Sequence, residues 1–141
     1  MDSIDEQLVE LLLEDANRTS SELAKLLNVS APTVRRRINN LLKNNMIHMI
    51  ALPVHENIGW TVTALIALNV LGDKIKPVLT TLGQNKQIRW AAATSGRFDV
   101  LIVVWLSSTE ELYEFLEQNI LSLDGVIHAE SFIALHTEKQ L

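Results

Sequence analysis

Apolar residues recur every three to four positions through three short stretches at the start of the chain. They then change to the runs and alternations of strands. The first stretch, Ser3 to Glu14, puts Ile4, Leu8, Leu11 and Leu12 on one stripe. Asp2, Asp5 and Glu6 lie where a helix dipole favours negative charge. The second opens with Thr19-Ser20-Ser21-Glu22, in the form of a capping box, and buries Leu23, Leu26 and Leu27. It stops at Asn28, a residue that tolerates left-handed backbone. Only Asn28, Val29 and Ser30 separate it from the third. There Ser30 is a good N-cap, Pro32 falls in the first turn, and Val34, Ile38 and Leu41 form a stripe with Leu42 at its edge.

That third helix carries the first candidate chemistry. At about 100° per residue, Arg36 and Asn40 point away from the stripe, flanked by Thr33, Arg35, Arg37 and Asn39. Arginine bonds guanine edges bidentately, asparagine bonds adenine, and both hold phosphates. The plain alternative is a solvated surface helix. The preceding helix and the three-residue turn favour a helix-turn-helix unit, with the first helix as the third wall of its core. Ser30, Thr33, Arg35, Arg36, Arg37, Asn39, Asn40 and Lys43 are the candidate contacts to double-stranded DNA.

Asn44-Asn45 ends this helix, and Met46 to Leu52 reads as a short strand, so the predicted DNA-binding domain spans 1–52. Residues 53–60, with Pro53 and Gly59, read as a hinge. Beyond it the pattern changes. Thr61 to Leu71 is rich in β-branched and aliphatic residues, a strand. A helix follows with Ile75, Val78, Leu79 and Leu82 on one face, and Pro77 implies an irregular first turn. Gln87 to Thr94 and Val100 to Leu106 are strands joined by the turn Ser95-Gly96-Arg97-Phe98-Asp99. Ser108 to Glu111 repeats the capping-box pattern before a helix burying Leu112, Phe115, Leu116 and Ile120. Val126 to His136 is the last strand, with Ile127, Ala129, Ile133 and Leu135 alternating with more polar positions.

The predicted fold is therefore α+β: a helix-turn-helix domain, then a ferredoxin-like β-α-β-β-α-β domain over 61–141. Its two helices cover one face of a four-stranded sheet. Yet VLIVVWL, Val100 to Leu106, is apolar at both parities and calls for cover on both faces. A second copy packing sheet to sheet would supply it. The other possibility is the amino-terminal domain of the same chain.

Charge sharpens the first domain. The 141 residues carry a net charge of −5, but Leu23 to His55 holds no Asp or Glu while Lys25, Arg35, Arg36, Arg37 and Lys43 all fall there. That window carries +5 and leaves −10 for the rest, a local basic patch on an acidic protein. With 48% hydrophobic and 21% charged residues the chain can bury a core, and without cysteine it has no disulfide or thiolate metal site. The acidic start MDSIDEQ is unlike a secretory signal and the apolar runs are too short to span a bilayer. A cytoplasmic protein without membrane contact is the expectation.

The whole ordered pattern resembles the Lrp/AsnC family, the leucine-responsive and asparagine-synthetase regulators also called feast/famine proteins. The resemblance is carried by residues 4–47, by Ile58-Gly59-Trp60 at the end of the connector, by SGRFD between the middle strands, and by Leu123-Asp124-Gly125-Val126. It implies a sequence-specific transcription regulator, dimeric at least and often octameric, that senses an amino acid or related metabolite. It further implies an effector site at Ser95, Gly96, Arg97, Phe98 and Asp99. There Gly96 would allow close backbone approach, Arg97 would pair with a carboxylate and Asp99 with an ammonium. An ordinary hairpin with a solvated Arg97 is the alternative for that turn.

Other constellations are weak. His48, His55, His128 and His136 are scattered, and the two that share the last predicted strand stand too far apart for one metal; no metal or cofactor is expected. Asn28-Val29-Ser30 fits a glycosylation acceptor only formally. Trp60, Trp90 and Trp105 read as packing residues, and there is no phosphate-cradling loop or nucleophile elbow. A sirohaem decarboxylase-like enzyme shares the overall architecture, but its His-Asn-Tyr-x-Arg-like motif is missing: the single tyrosine, Tyr113, lies between Leu112 and Glu114. A ligand-sensing module that does not bind DNA is the remaining alternative.

Overall fold

The computed structural model describes residues 1–139 and divides into two compact units, with the boundary between Ala51 and Leu52. In the first unit α1 (Ser3–Glu14), α2 (Ser20–Leu27) and α3 (Ala31–Lys43) each begin on a side-chain cap. Asp2 accepts the Asp5 and Ile4 amides while the Asp5 carboxylate returns to the Asp2 amide, and Thr19 and Glu22 form the same reciprocal box. Each such cap satisfies donors that a helix end otherwise leaves to water. Asn28 closes α2 in left-handed geometry at φ 53° and sends the chain directly into α3.

Leu8, Leu23, Ala24, Val34 and Leu41 form the core of this unit, with Leu11, Leu12, Leu27, Ile38 and Ile47 packed around it. Leu26, expected inside, is 60% exposed, and Ala24 takes its place. A small residue there lets the helices approach closely. The strand expected over Met46 to Leu52 does not form; the chain runs irregularly until a single helical turn at His55–Ile58. Its apolar residues find no ladder partner among the described residues, and a lone strand leaves its amides and carbonyls unpaired.

The second unit contains β1 (Val62–Val70), α4 (Ile75–Gly83), β2 (Ile88–Ala93), β3 (Val100–Leu106), α5 (Thr109–Phe115) and β4 (Val126–Ile133). The strands pair antiparallel in the order β2-β3-β1-β4, the ferredoxin-like arrangement. Ala64, Ile66, Leu68 and Val70 of β1 and Val100, Ile102, Val104 and Leu106 of β3 point into one core with Val78, Leu82, Leu112, Phe115 and Ile120 from the helical layer. A π-helical turn over Leu116–Ile120, closed by the Leu121 amide on the Leu116 carbonyl at 2.8 Å, brings Ile120 to the face that Phe115 occupies. In a continuous α-helix residues five apart sit about 140° apart, and one would face solvent.

The last strand ends at Ile133, earlier than expected, so His136 lies beyond it and Leu135 is almost fully exposed. A bulge between Asn69 and Val70 shifts the β4 register, leaving Ile127 exposed and placing Val126 against the core. The other face of the sheet carries Leu65, Ala67, Leu101, Val103, Trp105, Trp90 and Phe132, with Asn69, His128 and Glu130 toward one end, by the strand register. No helix of this unit packs there among those described. Leu65, Trp90 and Phe132 are 36%, 44% and 49% exposed.

Candidate nucleic-acid interface and effector site

Helix α3 owes its geometry to its two ends. Ser30 accepts the Thr33 amide at 3.3 Å and shares a 2.8 Å hydrogen bond with the Thr33 hydroxyl, so both are capping groups at the helix entry. With Val34 and Leu41 buried, Arg35, Arg36, Asn39, Asn40 and Lys43 are all exposed, and no ion pair engages them among the described residues. They form a polar, cationic outer surface of the third helix.

Arg37 is placed differently from the other candidates. Its Nη1 donates to Asp2 Oδ1 and Oδ2 at 2.9 and 2.8 Å and to Asp5 Oδ1 at 2.7 Å, and its side chain is 18% exposed. Hydrogen bonds that it donates to Asp5 and then Asp2 raise its pKa above the ordinary arginine value. The Asp2 carboxyl is held below the usual range, first by the Asp5 amide and then by Arg37. The three residues lock α1 to α3. The acidic start of the chain was legible as a helix-dipole feature, but its second role was not: charge partners 32 and 35 residues apart leave no local signal. Asp2, Asp5, Arg36, Arg37 and Asn40 also line a cavity of about 320 Å³ beside the outer surface.

In the second unit, the turn between β2 and β3 is built by backbone bonds. Thr94 N–H donates to the Asp99 carbonyl at 3.0 Å, the Thr94 hydroxyl to the Phe98 carbonyl at 2.8 Å, and the Asp99 amide to the Leu68 carbonyl at 2.9 Å. Gly96 takes φ 111°, which only glycine adopts without strain, and nothing crowds the place of its missing Cβ. An open cavity of about 460 Å³ lies against Thr94, Ser95, Arg97, Phe98 and Leu101. Of the expected effector residues it thus gathers Ser95, Arg97 and Phe98, and adds Thr94 and Leu101.

Asp99 holds neighbouring backbone. Its Oδ2 accepts the Val70 amide at 2.8 Å, closing the end of β1 just past its last ladder pair with β3. Arg97, 82% exposed, lies 5.5 Å from the centre of the Phe98 ring and 3.8 Å from Glu130. Asn69 donates to the Arg97 carbonyl at 2.8 Å and so ties the turn to the sheet. At the far end of the sheet, the Arg89 guanidinium lies 4.4 Å from the Trp60 ring and 5.2 Å from Trp105. The packing role expected of these two tryptophans thus includes a cation.

A capped helix-turn-helix with a cationic outer helix, followed by an α+β domain with a cavity at a strand turn, defines a DNA-binding regulator with a ligand-binding domain. Residues 1–42 match the AsnC-type helix-turn-helix domain and residues 63–141 the Lrp/AsnC ligand binding domain, and the chain belongs to the Lrp/AsnC family of transcriptional regulators. It is 27% identical over 141 residues to an uncharacterized HTH-type transcriptional regulator of Pyrococcus horikoshii, covering 99% of this chain and 95% of that one. Its fold is similar to Escherichia coli AsnC, at TM-score 0.83 and 23% identity over 100% of this chain and 96% of that one. It also resembles a Neisseria meningitidis transcriptional regulator solved in complex with L-Met, at TM-score 0.87 and 21% identity over 99% and 93% of the two chains. Among the described residues no helix is long and apolar enough to cross a membrane.

Proposed function

We propose that the protein is a homo-oligomeric, sequence-specific regulator whose assembly or DNA affinity responds to an amino acid. The observation that carries the DNA-binding half is the outer surface of α3. Arg35, Arg36, Asn39, Asn40 and Lys43 are exposed side by side on a helix whose cap and core fix its orientation. Arg36 and Asn40 are the base-reading candidates, while Arg35, Asn39 and Lys43 are placed for phosphates or groove edges. Ser30 and Thr33 present the helix entry, and Arg37 acts through its hold on α1. Residues 53–60 are the hinge joining the two domains.

The cavity beside Ser95 to Phe98 supports the effector half. It offers one guanidinium for a carboxylate, two hydroxyls, and the apolar Phe98 and Leu101 for a side chain. That a protein of similar fold was solved with L-Met makes methionine a natural first ligand to try. The second copy is supported by the outer face of the sheet. Leu65, Trp90 and Phe132 are exposed beside Leu101, Val103 and Trp105, a larger apolar surface than a soluble monomer keeps without use. The strand-like segment Met46 to Leu52 would likewise gain ladder partners only from another chain.

The test is a binding titration of the full-length protein on DNA from upstream of its own coding sequence, with and without a panel of amino acids. Specific, salt-dependent binding that shifts with one amino acid is the expected result. Binding no tighter than to random duplex at matched salt would overturn the DNA-reading half, and indifference to every amino acid at millimolar concentration the effector half.

A further inference from the structure

The turn that lines the effector cavity supplies a cation but no acid. Among the residues that form the cavity, Thr94, Ser95, Arg97, Phe98 and Leu101, none is a carboxylate. Asp99 directs Oδ2 at the Val70 amide, 2.8 Å away, just past the end of the β1–β3 ladder at Leu68 and Val100. An acid does reach Arg97 from elsewhere. Glu130 of β4, opposite Ala67 on the outer face, places Oε1 3.8 Å from Arg97 Nη2. The same oxygen lies 3.3 Å from His128 Nε2. His128 is opposite Asn69, whose amide holds the Arg97 carbonyl, so turn and strand are tied at this point.

A separation of 3.8 Å is beyond hydrogen-bond length. With Arg97 mostly exposed, water screens the pair and little is lost when either member takes another partner. The pair thus presents one positive and one negative group side by side, opposite in sign to the adjacent carboxylate and ammonium of an α-amino acid. We infer that Glu130, not Asp99, is the ammonium-binding residue of the effector site, and that it selects a zwitterion over the corresponding 2-oxo acid; this rests on the effector reading given above. The ligand carboxylate takes Arg97 and its ammonium takes Glu130. A 2-oxo acid has no ammonium, so its carboxylate would meet Arg97 with the Glu130 carboxylate beside it, a like-charge contact that weakens binding.

The experiment is calorimetry on the full-length protein and its Glu130→Gln variant with L-methionine, L-leucine and L-phenylalanine, each beside its own 2-oxo acid. In the wild type at least one amino acid should bind tighter than its 2-oxo acid. In Glu130→Gln that amino acid should lose about tenfold in affinity while the 2-oxo acid binds as well or better, collapsing the preference. Glutamine keeps the shape of glutamate, and retained 2-oxo acid binding with an unchanged circular dichroism spectrum shows the variant folded. A preference equal in the two proteins, or a wild type that binds both ligand classes alike, overturns the assignment of Glu130 while leaving an effector site at the turn. A wild type that binds none of the three amino acids at millimolar concentration overturns the effector reading itself, and the assignment with it.

Discussion

The Arg37 guanidinium lies 2.7 Å from the Asp5 carboxylate, so a residue of α3 is held by the first helix of the same domain. Asp2 completes the contact and also caps α1. Removing one member leaves the others charged in a partly covered place, which costs more than a solvated charge would. Arg37→Ala should therefore lower the thermal midpoint of the protein further than Arg36→Ala does. Equal midpoints for the two variants would show that the triad adds nothing.

The same triad gives a pH dependence whose sign is fixed. The Asp2 pKa is lower in the folded protein than its ordinary value, first through the Asp5 amide and then through Arg37. A carboxylate with a depressed folded pKa contributes stability that is fully present above its unfolded value, about 3.9, and is lost as pH falls through the folded one. Chemical denaturation of Asp2→Asn and wild type should thus differ at pH 6, with the gap closing as the pH falls below the unfolded value and through the lower folded one. A gap that stays constant over that range would remove Asp2 from the acid sensitivity of this domain.

The reading of α3 gives a prediction for recognition. Arg36→Ala and Asn40→Ala should each weaken operator binding by about 1–3 kcal/mol with the fold intact, because both stand opposite the buried Val34 and Leu41. Lys43→Ala should instead weaken binding to all sequences alike and flatten the dependence on salt by about one phosphate. Wild-type operator affinity in both Arg36→Ala and Asn40→Ala, by fluorescence anisotropy at fixed salt, would refute the base-reading role.

What could be read from the sequence follows the range over which each signal acts. Caps act within four residues, and Thr19 with Glu22, Ser30 with Thr33, and Ser108 with Glu111 all stand where local pattern puts them. The run VLIVVWL showed a strand, but being apolar at both parities it did not show that Val100, Ile102, Val104 and Leu106 are the set buried under the helices. Long-range pairings gave no such signal. Nothing near Arg37 in the sequence distinguishes it from the other arginines of RRR, and nothing near Asp99 shows its bond to the Val70 amide 29 residues away. Met46 to Leu52 is apolar enough to read as a strand, but composition cannot supply the partner that a strand needs. Glu111 shows the limit even of local reading: it reaches back to the amide and hydroxyl of Ser107, both at 2.6 Å, one residue beyond the expected capping box.

Gly125 separates backbone demand from side-chain demand. It has φ 96°, and a Cβ added there would run into Cβ and Cγ of Lys74. Its carbonyl accepts the Leu71 amide at 2.8 Å, joining the end of β1 to the start of β4. Gly125→Ala should therefore destabilise the second unit by about 1–3 kcal/mol, through strained backbone together with displacement of Lys74. Urea unfolding of the isolated variant and wild type measures it, and a change below about 0.5 kcal/mol would mean that the turn adjusts freely.

The final prediction links ligand to assembly. If the outer sheet face is covered by a second copy, the protein sediments as a dimer or larger species at micromolar concentration. Val103, central on that face, then tolerates no charge, and Val103→Lys should give monomers. Burial of each large apolar side chain there contributes about 1.5–3 kcal/mol, enough over several residues to make association tight. Arg97 lies at one end of the same sheet, reaching toward Glu130 on the outer face. A ligand that engages Arg97 therefore acts beside the surface through which copies meet, and it can shift assembly only by its differential affinity for the two states. Arg97→Ala should weaken amino-acid binding by about tenfold or more and reduce the effect of ligand on sedimentation to the same degree. Calorimetry and sedimentation velocity on the same samples decide it. Unchanged ligand affinity in Arg97→Ala removes that residue from the site, while lost affinity with an unchanged ligand effect on size breaks the link between pocket and assembly.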